Sequence, residues 1–230
     1  MGTSGFIRGL YSFSTWIIKF TTTNVLWLIF NLPIVYLVLN MLSATTPDEL
    51  IINFITIAIL LPFVLFPATT AMFGIIRQWV IGNTDISLIR SFWKYYKNNY
   101  LRSLFGGLII TFLTVILLID YYYFTSTNSP LFYIFLLISM FTIVFITHFF
   151  SNTVHVNDTL FISFKNSFLL SVGNPVYTIG ITIFIGIIAY ISINVYTILI
   201  FLGSGSLMAY LSFLLYYKSQ SNLTAENSSQ

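Results

Sequence analysis

Residues able to carry out chemistry are few and widely spaced in this chain. Its 230 residues include six acids, two histidines and no cysteine, which excludes disulfides, thiolate metal sites and a cysteine nucleophile. His148 and His155 are seven residues apart, or about 10 Å along a helix. That distance is too long for the two to share one metal ion. A hydrogen-bonded or interfacial histidine is therefore the favoured interpretation of each.

Motifs of the common enzyme classes are absent from the sequence. It contains no G-x-x-x-x-G-K-[ST] phosphate loop, no H-E-x-x-H zinc motif and no G-x-S-x-G nucleophile elbow. We predict that the protein is not an enzyme and uses no cofactor. A membrane enzyme without a recognisable motif is the third-ranked hypothesis; loss of turnover on replacing Asp85, Asp120 or Asp158 would support it.

The composition indicates a membrane protein. Hydrophobic residues make up 57% of the chain and charged residues only 7%, against roughly 25% charged in soluble domains. A water-facing surface cannot be built from so few charges. We predict an all-α fold, a polytopic transmembrane helical bundle that forms one membrane domain over residues 1–217. The polar segment 218–230 is expected to be a disordered cytoplasmic tail.

Six apolar runs of bilayer length organise this domain, because a helix needs about 20 apolar residues to cross the hydrocarbon. The runs lie at about residues 21–42, 50–76, 103–124, 130–150, 175–192 and 195–217. The last two runs are separated at 192–194. A turn at 203–206 is the alternative and gives five spans, because residues 207–217 are too few to cross. The first run is too long for a cleaved signal peptide, so we expect it to be retained.

The basic residues indicate the orientation of the bundle. With six spans, all nine Lys and Arg residues fall on the same side of the membrane. Positive residues in short loops favour the cytoplasmic side. We therefore predict that both termini are cytoplasmic.

Two prolines interrupt the second apolar run. Pro62 and Pro67 each lack a backbone N–H, and each ring crowds the carbonyl four residues earlier. We expect this span to be kinked or broken and to accept hydrogen bonds from neighbouring helices.

Small and polar residues within the runs are interpreted as packing contacts. Thr70 and Gly74 are four residues apart and would allow two helices to approach closely. Asn24, Asn31 and Asn40 could bind a polar solute, but hydrogen bonding between helices is the favoured role.

Residues 77–102 form the most informative region of the chain. They include five of the nine cations: Arg77, Arg90, Lys94, Lys97 and Arg102. Apolar side chains recur on the opposite face at helical spacing: Ile86, Ile89, Trp93, Tyr96 and Tyr100. This pattern predicts an amphipathic helix along the inner leaflet, capped by Thr84 or Asp85. The helix would either anchor the protein to anionic lipids or dock a cytoplasmic partner.

A second, weaker amphipathic segment covers residues 157–172. Phe161, Phe164, Phe168 and Val172 recur on one face. Its resemblance to residues 85–99 suggests a weak internal repeat of helix, amphipathic segment and helix. Similar requirements at a membrane surface are the alternative explanation.

A set of short motifs resembles a known family. It runs Pro67-Ala68-Thr69-Thr70-Ala71-Met72-Phe73-Gly74-Ile75-Ile76-Arg77-Gln78-Trp79, then Gly82, Asp85 and Phe92-Trp93-Lys94-Tyr95-Tyr96-Lys97-Asn98-Asn99, with Trp27 and Asn31-Leu32-Pro33 before it. The candidate structural motif consists of nine residues: Pro62, Pro67, Thr70, Gly74, Trp79, Gly82, Asp85, Phe92 and Trp93. The pattern is similar to the YesL-like family over about residues 5–125, and more loosely beyond. The resemblance implies a bacterial plasma-membrane protein of unknown function, often encoded beside sugar ABC importers, with no established catalytic residues.

Two further hypotheses rank above a membrane enzyme. The first is an accessory subunit that assembles or regulates a carbohydrate importer. Its partners would be the lipid bilayer and importer subunits, and we expect no nucleic acid. The second is a self-standing permease for small solutes. The expected break in the second span favours it, because irregular backbone at membrane depth is tolerated where it lines a cavity.

Overall fold

A computed structural model describes residues 2–127 and 129–228, with side chains described for residues 7–127 and 129–221. Over these residues the secondary structure is helical, which confirms the predicted all-α class. The α-helices are α1 Gly2–Phe30, α2 Leu32–Leu42, α3 Pro47–Leu60, α4 Phe66–Val80, α5 Leu88–Ser126, α6 Leu131–His155, α7 Leu160–Gly173, α8 Pro175–Tyr190, α9 Ile198–Leu202 and α10 Ser204–Ser228. Two π-helical segments, Leu61–Leu65 and Ile191–Val195, follow α3 and α8 directly.

Four helical stretches in the described residues are long and apolar enough to cross a membrane. They are Pro47–Val80, Leu88–Ser126, Leu131–His155 and Pro175–Val195. α1 and α2 meet the same criterion only as a pair bent by 78°, and counting the pair as one span gives five. The predicted count of six is therefore not reproduced within the described residues.

The first predicted span, 21–42, is broken at Asn31. This residue separates α1 from α2, with φ −97° and ψ 12°. Pro33 fits the first turn of α2, but it has no N–H to donate to the carbonyl of Ile29. A single helix cannot continue unchanged through this point. The break therefore has a local cause that the length of the apolar run concealed.

The second predicted span is one continuous helical stretch, Pro47–Val80. Pro62 lies within the first π-helical segment, whose wider turn accommodates the ring without ending the helix. Pro67 cannot donate to the carbonyl of Phe63, and Tyr100 of α5 donates its hydroxyl to that carbonyl at 3.4 Å. The expected hydrogen bond from a neighbouring helix is confirmed.

The final apolar region is interrupted twice. α8 continues through its π-helical segment to Val195, so the first turn follows the predicted position, 192–194. Gly203 then separates α9 from α10, and the alternative turn is also present. This second interruption divides the predicted sixth span, 195–217. α10 continues as a helix to Ser228, through most of the segment expected to be disordered.

Asn24 of α1 satisfies the backbone at the break between α9 and α10. Its Nδ2 donates to the carbonyls of Ile200 and Phe201 at 2.8 and 3.0 Å. Its Oδ1 accepts from the backbone N–H of Ser206 at 3.2 Å. Helix ends leave such groups without partners, and in hydrocarbon each costs several kcal/mol. The predicted helix-linking role is confirmed for this asparagine.

α4 forms the centre of the bundle and contacts α1, α5, α6 and α10. Eleven of its 15 residues are buried. Thr70 accepts a hydrogen bond from Ser103 of α5, with 2.7 Å between the hydroxyl oxygens. The ring of Tyr95 covers Gly74 so closely that a Cβ there would overlap it. The close helix contact predicted for Thr70 and Gly74 is confirmed.

α5 is a single helix of 39 residues. The amphipathic segment and the third predicted span, 103–124, are therefore coaxial, because no proline or turn separates them. At 1.5 Å per residue the helix is about 58 Å long, roughly twice the hydrocarbon thickness. Its N-cap is Ser87, not Thr84 or Asp85. The expected separate helix along the leaflet is replaced by an extension of the span.

The packed face of α5 also differs from the predicted one. Ile89 and Trp93 are 68% and 47% exposed, whereas Phe92 is 1% exposed. Ser103 and Gly107 face α4 closely, and a Cβ on Gly107 would lie 2.7 Å from Phe66. Phe92 lies three turns before Ser103 on that same face. Close contact at small residues, not the distribution of large apolar ones, orients the helix.

Replacing Gly106 by alanine should destabilise the bundle. The new Cβ would overlap the ring of Phe149 on α6, and overpacking costs about 1–3 kcal/mol. A Cβ on Gly186 of α8 would point into open space, so the matched Gly186→Ala variant should gain up to about 1 kcal/mol from helix propensity. Unfolding midpoints in mild detergent would measure both. Equal midpoints would contradict the packing argument.

Candidate functional site

The five cations of residues 77–102 separate into two groups in the structure. Arg77 and Arg102 are partly buried and hydrogen-bond to the C-terminal end of α6. Arg90, Lys94 and Lys97 are exposed on α5. The sequence grouped all five as docking residues, whereas the structure places only three on an open surface. We call these three residues the basic face.

Arg102 joins three helices. Its guanidinium donates to the carbonyls of Thr153 and Val156 at 3.2 and 2.9 Å. A second donor of the same group bonds to the hydroxyl of Ser163 on α7. The two carbonyls belong to the end of α6, where backbone acceptors lack helical partners and carry partial negative charge. Arg102 is therefore placed to hold α5 against α6 and α7.

Arg77 contacts the same end of α6 through a histidine. Its Nε donates to Nδ1 of His155 at 3.4 Å. The ring of Tyr216, from α10, lies 5.9 Å from His155 and 5.8 Å from His148. Tyr216 also donates its hydroxyl to Oδ1 of Asn152 at 3.2 Å. Both histidines thus belong to a packed polar seam between α6 and α10.

The three aspartates considered for chemistry lie apart from one another. Asp85 precedes α5 and pairs with Lys19 at 3.9 Å. Asp158 lies between α6 and α7 and accepts a hydrogen bond from Asn166 at 3.2 Å. Asp120 lies near the far end of α5. Across the described ranges, no group of three or more His, Cys, Asp or Glu side chains could hold a metal ion.

The basic face points away from the bundle. Arg90 and Lys94 lie about 160° around the helix axis from the buried Phe92, at 100° per residue. The Nζ of Lys97 lies 4.7 Å from the ring centroid of Trp93, a cation–π distance. The one ion pair found among the residues with described side chains joins two other residues. No carboxylate of that region is therefore paired with the basic face.

The remaining motif residues tie α1 to the α4–α5 turn. Trp79 packs edge to face against Trp16 of α1, with 5.6 Å between ring centroids. Gly82 has φ +97°, a left-handed conformation that favours glycine, and it turns the chain after α4. Asp85 then pairs with Lys19. These residues have structural roles and position the start of α5.

Sequence reasoning missed the partners supplied by distant segments. Lys19 and Asp85 are 66 positions apart, and no pattern links them. Tyr95 appeared only within the family motif, and Tyr100 only on the apolar face of an amphipathic segment. Their contacts, with α4 and with the π-helical segment before it, depend on the rotation of α5. The contact of Tyr216 with α6 was not anticipated for the same reason.

The second amphipathic segment forms α7, but the face that packs against the bundle is not the predicted phenylalanine-rich face. Phe164 is partly buried, whereas Phe161, Phe168 and Val172 are exposed. Small buried residues line the packed side: Ser163, Ser167 and Ser171. α7 ends before α8 begins, whereas the first segment is continuous with its span. The two halves of the suggested repeat are thus built differently.

These features define the class of the protein. Long apolar helices expose most of their surface, and side chains satisfy the backbone where helices are interrupted. The five cations of residues 77–102 lie near the end of the bundle where α4 connects to α5 and α6 connects to α7. The chain is a polytopic α-helical membrane protein.

Comparison with known proteins shows what the chain is similar to. Residues 20–121 match the family described as "Protein of unknown function, DUF624". The chain is 28% identical to the uncharacterised protein YesL of Bacillus subtilis (strain 168) over 202 residues, 86% of this chain and 83% of the relative. It is also 28% identical to YteU of the same strain over 178 residues, 76% of this chain and 69% of the relative. No solved structure matches the chain. The chain is therefore similar to YesL-like proteins of the DUF624 family, and the resemblance inferred from its motifs is confirmed.

Replacing Arg102 by glutamine should destabilise the fold. The change removes charge-assisted hydrogen bonds to the end of α6, so we expect a loss of about 2–3 kcal/mol. The exposed Arg90→Gln variant should stay within about 0.5 kcal/mol of the parent protein. Chemical unfolding in detergent micelles would compare the two. Similar losses in both variants would contradict the division of the cations into two groups.

Proposed function

We propose that this chain is a non-enzymatic accessory component of carbohydrate uptake that docks a cytoplasmic partner through Arg90, Lys94 and Lys97. The observation that carries the proposal is the basic face on a helix that extends beyond its span. A helix lying in the membrane plane would use its apolar side as an anchor. A coaxial extension instead presents its outer face to water or to another protein.

The spacing of the three cations supports joint action. The rise from Arg90 to Lys97 is about 10 Å, close to the Debye length of about 8 Å at physiological ionic strength. Their potentials therefore overlap. The complementary partner is an acidic surface, because complementary charge speeds and orients association.

The proposed link to carbohydrate uptake comes from the resemblance to the YesL-like family. Members of that family are often encoded beside sugar ABC importers. Importer subunits are therefore the partners that we propose. The clustering of Lys and Arg supports a plasma-membrane protein with these basic segments in the cytoplasm, and the cytoplasmic position of both termini rests on the predicted six spans. The chain would require no cofactor for this role.

Neutralising the basic face should weaken partner recovery. We expect the Arg90→Gln, Lys94→Gln, Lys97→Gln triple variant to retain about a tenth of the partner recovered with the parent protein, because each exposed pair contributes up to about 1 kcal/mol. The tagged protein would be purified in mild detergent from bacteria grown with and without complex carbohydrate. Quantitative mass spectrometry would then measure the importer subunits recovered.

The matched control removes three charges elsewhere: Arg8→Gln, Lys165→Gln and Lys218→Gln. This variant has the same net charge as the first and should recover partner at the parent level. Equal losses in both variants would indicate a general charge effect. Recovery of the protein alone under both growth conditions would contradict the docking role.

The orientation is testable because the chain has no cysteine. Single cysteines at Lys94 and Tyr122, both exposed, lie on opposite sides of the proposed bilayer. We expect a membrane-impermeant maleimide to label Tyr122→Cys in intact cells and Lys94→Cys only after the membrane is opened. The reverse pattern would place the basic face outside and exclude a cytoplasmic partner.

A self-standing permease is the second candidate, favoured by the break between α9 and α10. Discontinuous helices mark binding sites in many transporters. Concentration-dependent uptake of a labelled sugar by the purified protein alone in liposomes would support this function over docking.

A further inference from the structure

A groove of about 390 Å³ lies between α1, the end of α8 and the junction of α9 with α10. Its walls are almost entirely apolar and include Phe20, Ile188 and Leu207. The volume lies within the range of small-molecule sites, which are also mostly apolar with few polar groups. The groove is lined by no residue of the basic face, so an inference about it is independent of the docking proposal.

Two helix irregularities form the wall of this groove. One is the π-helical segment after α8, which contributes Ile191 and Ser192, and the other is the break at Gly203. Irregular backbone at membrane depth persists where it is buried in protein or lines a cavity. Asn24 uses both ends of its amide to satisfy the broken helix. An uninterrupted helix would need no such residue, so the break carries a local energetic cost. Forming the wall of a groove is a reason for the break to persist.

Among the described hydroxyls that line this groove, that of Ser192 is buried and lacks a hydrogen-bond partner. Ser192 is 2% exposed, its Oγ makes no hydrogen bond within the described structure, and it lines the groove. A buried unpartnered polar atom calls for an explanation such as a bound group. A hydroxyl can donate to one oxygen of an otherwise apolar ligand.

A second groove of about 360 Å³, between α5 and α6, provides the comparison. It too is apolar, and the hydroxyl of its Thr142 donates to the carbonyl of Ile138 at 2.8 Å. That hydroxyl therefore needs no ligand. The two grooves are similar in size, but the hydroxyl of Ser192 lacks a hydrogen-bond partner among the described residues whereas that of Thr142 has one.

The rim of the first groove faces the surroundings of the bundle. Ile17, Leu202 and Ile191 on the rim are 49%, 46% and 36% exposed, and α8 with its π-helical segment is one of the stretches able to cross a membrane. The groove is therefore open to the hydrocarbon. Its occupant would come from the bilayer, where the abundant apolar chains carry an ester carbonyl at one end.

We propose that this groove binds one acyl chain of a bilayer phospholipid, with an ester carbonyl oxygen accepting a hydrogen bond from Ser192. The bound lipid would seal α1 against α8 and α10. It would be a specific ligand of this site, distinct from the lipids that surround the other helices.

The test uses the purified protein in phosphatidylglycerol and phosphatidylethanolamine vesicles containing a phosphatidylglycerol with a photoreactive diazirine on one acyl chain. After irradiation, cross-linked peptides are quantified by mass spectrometry. We expect residues 188–192 and 199–207 to be labelled several-fold more than residues 113–117 and 138–142 of the comparison groove. Equal labelling of the two grooves would overturn the proposal.

Two variants test the groove and its hydroxyl. Leu207→Trp should fill the groove and abolish the excess labelling, whereas the matched Leu117→Trp variant in the comparison groove should leave it unchanged. Ser192→Ala should reduce the excess about three- to tenfold, the value of one hydrogen bond. Unchanged labelling in Leu207→Trp or in Ser192→Ala would overturn the proposed binding mode. Melting curves would verify that each variant is folded, and Ser192→Ala, the smallest change, keeps the test valid if a tryptophan variant unfolds.

Discussion

The structure depends on the need to satisfy every backbone polar group in a medium that offers no water. Regular helices meet this need internally, and each interruption requires a partner. Asn24 supplies one at the break between α9 and α10, Tyr100 supplies one beside Pro67, and Arg102 supplies one at the end of α6. These side chains come from other helices, so satisfying the backbone also fixes how the helices are arranged.

Close packing around α4 determines which residues face outward. Gly74, Ser103 and Gly107 bring α4 and α5 together, and this contact fixes the rotation of α5. Because α5 is continuous over 39 residues, the rotation set within the bundle also sets the direction of the cations beyond it. The outward position of Arg90 and Lys94 is therefore a consequence of packing several turns away.

The two proposed interactions use different physical properties of one bundle. The basic face acts through charge, which reaches about a Debye length into water. The groove beside Ser192 acts through apolar contact with one hydrogen bond. Both depend on departures from a simple set of spans: the extension of α5 past its span, and the interruptions that follow α8. A protein with six straight spans would have neither surface in this form.

The sequence by itself determined the class of the protein, because apolar runs of bilayer length and a nearly uncharged composition leave few other folds. It also identified the motif from Pro67 to Trp79 and the need for a partner near Pro67, since both follow from local chemistry. Run length alone concealed the break at Asn31 and the continuity of α5, although both have local causes: the presence of Pro33 and the absence of a proline or turn. The separation of Arg102 from Arg90 depends on contacts between residues far apart in the chain. Run length and periodicity describe one helix at a time, whereas helix rotation and the partners of interrupted backbone are decided only when helices pack together.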